Sequence, residues 1–443
     1  MTAMATVDVV RGKVARRLLP PLFLMFVLSF LDRTNVSLVK DHLAASAGIS
    51  AAAYGFGAGV FFVGYAVLGV PSNLVLHRVG ARRWLSGMMV VWGVLSCAMA
   101  LVSGPTSFYV LRFLLGVAEA GFFPGVILYI TYWFPVRDRG KATGVFQSAV
   151  AIASMIGNPV GGWLLGFHGL AGLDGWQWMF VLEGLPTIVV AIAVPWLLTD
   201  RPEQANWLTA QERTVLVDAI RADEPPRREH GTWRAIADSR VLRLIYVYFA
   251  IQLGVYGVTF WLPSLVKRIG GLSELSVGFI AAVPWVFALV GVLVLPWLSD
   301  RTGNRRVPLL VALLCTTFGL IGAVVLPPVA AVGALCVAAF GFLGAQPVFW
   351  TVPPTLLAGV QIAATIPVIS GIGNLGGFVG PYVMGAVEDA TGSGANGLYL
   401  IAAVVALGAV FAMTFHWVGN KQKGTDSCTS SASRIAQAQS IVD

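Results

Sequence analysis

From Leu18 to Phe415 the chain reads as a succession of apolar runs separated by brief polar breaks. A helix needs about 20 predominantly apolar residues to cross a hydrocarbon core, and the breaks divide the chain into twelve runs of about that length. The first six extend approximately over Leu18 to Leu38, Tyr54 to Leu76, Trp84 to Ser103, Ser107 to Tyr129, Ala142 to Phe167 and Trp178 to Leu198. The second six extend approximately over Leu242 to Leu265, Val277 to Leu298, Val307 to Leu326, Val329 to Leu357, Ile362 to Val387 and Gly397 to Val418. Between the sets, Thr199 to Arg240 is polar, densely charged and interrupted by Pro225-Pro226, the marks of a solvated connection. The pattern predicts an all-α membrane protein with twelve transmembrane helices in two six-helix halves. Its parts are an N-terminal segment (1–17), a first bundle (18–198), a linker (199–240), a second bundle (241–418) and a tail (419–443).

Two internal matches support the duplication. LVLHRVGARR, from Leu74, answers LSDRTGNRR, from Leu298, with an offset of 223 between Gly80 and Gly303. GNPVGG from Gly157 answers GNLGG from Gly373 with an offset of 216. Repeats of this kind place a substrate site near the membrane midplane, between halves that rock around it. Cations set the orientation. Arg78, Arg82 and Arg83, then Arg137, Arg139 and Lys141, then Arg301, Arg305 and Arg306, then Lys421 and Lys423 fall on one side, which is read as cytoplasmic with both termini inside. The other side holds few cations, among them Lys40 and the Lys267-Arg268 pair.

Composition removes other classes. At 57% hydrophobic and 11% charged residues, with mean hydropathy +0.79, the chain cannot cover a soluble surface. The net charge of +8 is spread as topology signals, so no nucleic-acid partner is expected. Cys97, Cys315 and Cys336 lie in apolar runs and Cys428 in the tail, a spacing that supports neither disulfides nor a metal site. No nucleophile–base pair or phosphate loop is present, so neither an enzyme nor a cofactor is expected. Arg11, Lys13, Arg16 and Arg17 precede an apolar run as in a signal peptide, but that run holds Asp32 and Arg33, which marks it as a retained first helix of an inner-membrane protein. The tail has the composition of a disordered segment, the linker is expected to form an amphipathic helix from Thr209 to Ile220, and nothing calls for more than a monomer.

Ionisable side chains inside a membrane are costly and are functional by default. The first run contains FLDRTN, placing Asp32 and Arg33 about 100° apart around a helix. The fourth contains RFLLGVAEAGFFPG, placing Arg112 and Glu119 seven residues apart on one face. Glu183, near the outer end of the sixth run, is read as structural or loop-capping. The second set of runs has no charged core residue. Two cations and two carboxylates from one half are therefore expected to face a neutral, polar and aromatic wall. Arg offers a planar fork suited to a carboxylate and keeps its proton, while a desolvated carboxyl can load and release one. That is the minimal kit of an anion–proton symporter.

These segments, together with FFVGYAVLGVPSNLVLHRVGARRW from Phe61, GWQWMFVLEGLP from Gly175 and SGIGNLGGFVGP from Ser370, resemble the anion:cation symporter family of the major facilitator superfamily over about Leu18 to Val418. Similar members import sugar acids, tartrate, phthalate or hydroxyphenylacetate. The resemblance implies that Arg33 contacts a substrate carboxylate, that Asp32 and Glu119 take protons, and that Arg112 pairs with a carboxylate in some states. It also implies that Tyr65 and Asn374 face the substrate. Neutral candidates in the second half are Gln252, Tyr256 and Trp261 in the seventh run and Gln346 and Trp350 in the tenth, with Trp261 equally placed to be an interfacial belt residue. Departures from the family pattern are His77, which replaces the usual acid of the loop motif, and Phe30, which removes a hydroxyl and favours a less polar or aromatic acid.

The expected function is proton-coupled uptake of a small organic carboxylate, with sodium coupling open. A proton-coupled antiporter exporting a metabolite or drug is the alternative, because GNPVGGWL partly resembles an exporter motif, but two intramembrane arginines oppose cationic cargo. A membrane sensor would need an output module that the tail does not resemble.

Overall fold

The computed structural model describes residues 2–167, 169–222, 238–356 and 360–415, and over them the fold is helical. In chain order the helices are α1 (Thr2–Thr34), α2 (Lys40–Ala47), α3 (Ala51–Val79), α4 (Ala81–Ala98), α5 (Pro105–Glu119) and α6 (Phe122–Trp133). They continue with α7 (Val136–Leu164), α8 (Gly175–Leu197), α9 (Ala210–Ala222), α10 (Ser239–Lys267), α11 (Glu274–Thr302) and α12 (Arg306–Val325). The last are α13 (Pro328–Trp350), α14 (Pro353–Leu356), α15 (Val360–Gly373), α16 (Gly376–Thr391) and α17 (Gly397–Met413).

Among the described residues, ten helical segments are long and apolar enough to cross a membrane, counting α5 and α6 as one. The fifth and eleventh expected spans are α7 and the α15–α16 pair, which brings the order to that read from the sequence. Three expected spans are broken rather than continuous, the tenth between Trp350 and Pro353. The fourth stops at Glu119 and restarts at Phe122, which leaves Pro124 in a first helical turn, and Gly121 in the break allows the close approach of α3, since a Cβ there would collide with Ser72 Oγ. The eleventh breaks at Asn374 and Leu375. The first helix begins well before Leu18 and runs through Pro20 and Pro21. The linker helix occupies Ala210–Ala222, close to its expected place, whereas Pro225-Pro226, Cys428 and the tail lie outside the described residues.

The first six spans pack on the last six mainly through α3 against α16 and α7 against α11. Large apolar side chains such as Val189, Trp196, Leu293, Phe318 and Val329 are exposed on the outside, as a lipid-facing surface requires. At the end opposite the termini, the two sets are clasped. Lys40 is buried and bonds Glu388 at 2.6 Å, Lys267 meets Asp41 at 3.1 Å, and His42 Nε2 lies 3.9 Å from Glu274. Asp389 accepts from Ser50 Oγ at 2.9 Å and from the amides of Ala51 and Ala52, so an acid of α16 caps the positive N-terminus of α3. Tyr54 OH bridges Val36 O at 3.1 Å and Phe260 O at 3.2 Å.

Candidate substrate and ion-coupling site

α1 carries Arg33 on its last turn, and the guanidinium is the centre of the site. Its Nη2 donates to Glu119 Oε2 of α5 at 2.8 Å, and Ser29 Oγ, one turn back on α1, donates to the same oxygen at 3.0 Å. Its Nη1 points across to the second half, 3.4 Å from Tyr256 OH of α10. Aromatic rings surround the cation: its Cζ is 4.9 Å from the ring centre of Phe61, 5.3 Å from that of Tyr65 and 5.9 Å from that of Phe30. Glu119 is fully enclosed and Arg33 keeps 7% of its exposure, so the pair is shielded from water.

The second half supplies an amide ladder. Gln346 Nε2 donates to Gln252 Oε1 at 3.1 Å, Gln252 Nε2 to Asn374 Oδ1 at 2.7 Å, and Asn374 Nδ2 to Ser370 Oγ at 3.4 Å. Asn374 sits in the break between α15 and α16. Tyr256 packs 4.2 Å, centre to centre, from Phe62 of α3. Trp350 stands edge-on to Tyr248 at 4.8 Å, within the second half.

The structure thus brings Arg33, Glu119, Tyr65 and Tyr256 together. Of the predicted charges, Asp32 lies elsewhere, whereas Arg112 stands against the same Phe61 ring as Arg33. Asp32 accepts from Ser96 Oγ of α4 at 2.7 Å and from Thr187 Oγ1 of α8 at 3.1 Å, so it points into the first bundle while Arg33, about 100° around the helix, points out of it. Arg112 is buried and donates to Ala58 O at 3.3 Å, over the ring of Phe61. In this state the partner of Glu119 is Arg33. The expectation that all four charges face one cavity is therefore corrected for Asp32, which is turned into the first bundle. Trp261 is neither a belt residue nor a site wall: it is buried and donates to Glu388 in the clasp. Glu183 does not cap a loop. α8 is capped by Asp174 and Gln177, which leaves Glu183 two turns inside the helix and buried. Ser29, Asn35 and Asn158 were not legible as site residues, since a single polar side chain in an apolar run gives no periodic signal.

A family profile described as Major Facilitator Superfamily matches residues 22–381. The chain is 43% identical over 404 residues to a putative tartrate transporter of Agrobacterium vitis, covering 90% of each chain. It is 41% identical over 422 residues to a quinolone resistance transporter of Acinetobacter baumannii, covering 94% of this chain and 96% of that one. Among solved structures, the inward-facing, unoccupied form of a bacterial homologue of the human lysosomal transporter Spinster aligns with TM-score 0.73 at 20% identity, over 91% of this chain and 96% of the other.

Proposed function

The chain belongs to the major facilitator superfamily and is a multi-pass membrane transporter, and on that premise we propose that it imports a small organic carboxylate together with a proton. The observation that carries the proposal is the single guanidinium of Arg33, shared between a carboxylate of its own half and an edge turned toward the other half. In the empty carrier, Glu119 and Arg33 form a neutral pair. When Glu119 takes a proton, the pair dissolves and Arg33 is released to clamp the substrate carboxylate, again a neutral pair. The two half-loaded states each leave one buried charge without a partner. Breaking a buried pair from one side costs about 3–5 kcal/mol, so the half-loaded carrier reorients poorly and proton and anion move together. Tyr256, Tyr65 and the amide ladder through Asn374 supply polar contacts for the rest of the substrate, and Trp350 with Tyr248 extends the aromatic wall.

The charge pattern supports an inner membrane placement with both termini cytoplasmic, which makes the clasped end the outer gate. Asp32, held by two hydroxyls, is a second proton carrier inside the first bundle. The tartrate transporters among the relatives make tartrate the first carboxylate to try. Export of an antibiotic is the rival reading, prompted by the relative named for quinolone resistance. Uptake of labelled tartrate and other carboxylates into proteoliposomes under an imposed pH gradient separates them. Accumulation with acid outside supports symport. Collapse of uptake on replacing sodium by choline would assign coupling to sodium, and drug efflux without carboxylate uptake would favour export.

A further inference from the structure

Away from the Arg33 site, at the distal end of the first bundle, Glu183 is buried to 6% of its exposure, and the charge that acts on it is another acid, Asp32. The side chain that acts on the Glu183 carboxyl as a hydrogen-bonding neighbour is that of Asn35, buried to 4%, and the contact is too long to satisfy either group. Both side chains, with Thr34 and Asn158, line one cavity of about 10 Å³. A single water needs about 10–15 Å³ of such volume. Asn158 donates its own amide to Ser154 O at 2.7 Å, leaving its oxygen to accept. Room exists because α7 is stripped of side chain here: a Cβ on Gly161 would strike Leu38 and stand 3.6 Å from Glu183 Oε1.

An ionised carboxylate enclosed with no cation is a heavy penalty. The Glu183 carboxyl and the Asn35 amide are the two groups to be satisfied. A protonated carboxyl with one water satisfies both: the acid O–H finds an acceptor, and the water takes the Asn35 N–H and donates onward to an amide oxygen. The cavity is also tied to the gate. Asn35 opens the 3-10 turn Asn35–Ser37, whose Val36 carbonyl is bridged through Tyr54 OH to Phe260 of the other half. Thr187, one turn beyond Glu183 on α8, donates to Asp32, so the two acids adjoin through α8.

We propose that Glu183, Asn35 and Asn158 form a further proton site, in which Glu183 holds a proton beside one trapped water while the distal end is clasped and yields it when that end opens. The second half of this statement rests on the proton-coupled reading; the first does not. Infrared spectra of the purified full-length protein in lipid at neutral pH should show a protonated-carboxyl band that is lost in Glu183→Gln and kept in Glu119→Gln and Asp32→Asn. Asn35→Ala should move that band to higher frequency by removing its hydrogen-bonded neighbour, which keeps the test alive should Glu183→Gln fail to fold. In proteoliposomes, the proton-to-substrate ratio from reversal potentials should fall by one in Glu183→Gln. No Glu183-dependent band, or a band present only when choline replaces sodium, overturns the site. A band present with an unchanged ratio overturns the release. If the wild type shows no pH-driven uptake, the symport reading fails, and the band still decides whether Glu183 is protonated.

Discussion

Replacing Glu119 by Gln keeps the shape of the side chain but fixes it in the neutral state, the state proposed for the loaded carrier. Substrate should still bind, because Arg33 is released from the 2.8 Å pair with Glu119. The empty carrier is what suffers: Arg33, at 7% exposure, then has no anion to accompany it through reorientation. With a buried unpaired charge costing about 3–5 kcal/mol and each 1.4 kcal/mol worth about tenfold, the empty-carrier return should slow by roughly a hundredfold to a few thousandfold. Ser29 Oγ and Tyr256 OH can solvate a little of this, which favours the lower part of the range. The assay compares two modes in the same proteoliposomes: net uptake driven by a pH gradient, and exchange of labelled for unlabelled substrate at equal pH. Exchange uses only the loaded carrier and should persist, while net uptake should fall to the leak. Concentrative uptake by Glu119→Gln under an imposed pH gradient would refute the shared-guanidinium logic.

Arg33→Lys keeps the charge and loses the fork, and with a charged hydrogen bond worth about 1.5–3 kcal/mol the KM for carboxylate should rise roughly tenfold to a hundredfold at normal expression; an unchanged KM removes Arg33 from the clamp. Tyr256→Phe deletes a single long contact at 3.4 Å and should raise KM only about fivefold, read in the same uptake assay. Lys40→Ala opens the 2.6 Å bond to Glu388 and should add a longer-distance population between spin labels at Ser46 and Thr391, which an unaltered distance distribution would contradict. Burial holds the His42 imidazole below its ordinary value of 6.5, with Lys267 opposing and Glu274 and Asp41 favouring its protonation. The clasped end therefore binds that proton less readily than a hydrated, open end would. As pH falls through about 6.5 the same spin labels should shift toward the open distance, with no effect above that range and none in His42→Gln.

Much of this arrangement was legible because lipid is a demanding solvent. Twelve runs, the duplicated loop motif and the scarcity of intramembrane charge single out Asp32, Arg33, Arg112 and Glu119, with Glu119 on one face with Arg112; the structure pairs Glu119 with Arg33 instead. The isolated Lys40 and Lys267 on the cation-poor side were also visible, but their meaning was not: what they bind, Glu388 and Asp41, comes from other helices and loops. Adjacency misled for Asp32, since neighbours on a helix face different directions. An apolar run counted from Trp178 puts Glu183 near a helix end, whereas the Asp174 and Gln177 capping signal starts the helix three residues earlier, at Gly175, and leaves Glu183 two turns inside it. The Gln346–Gln252–Asn374 ladder spans three helical segments, and contacts between segments leave no periodic trace in one sequence.

The central claim is that Glu119 and the substrate carboxylate compete for one guanidinium, so binding the anion must draw a proton onto the protein. The direct measurement is proton uptake on binding: purified protein in weakly buffered detergent solution, titrated with tartrate or whichever carboxylate the uptake screen selects, with pH followed by an indicator dye. The account predicts that the solution turns alkaline on addition, by about one proton for each carboxylate bound to Arg33, and that Glu119→Gln binds the same anion with no pH change. Binding to the wild type without proton uptake, or undiminished uptake in Glu119→Gln, would contradict it.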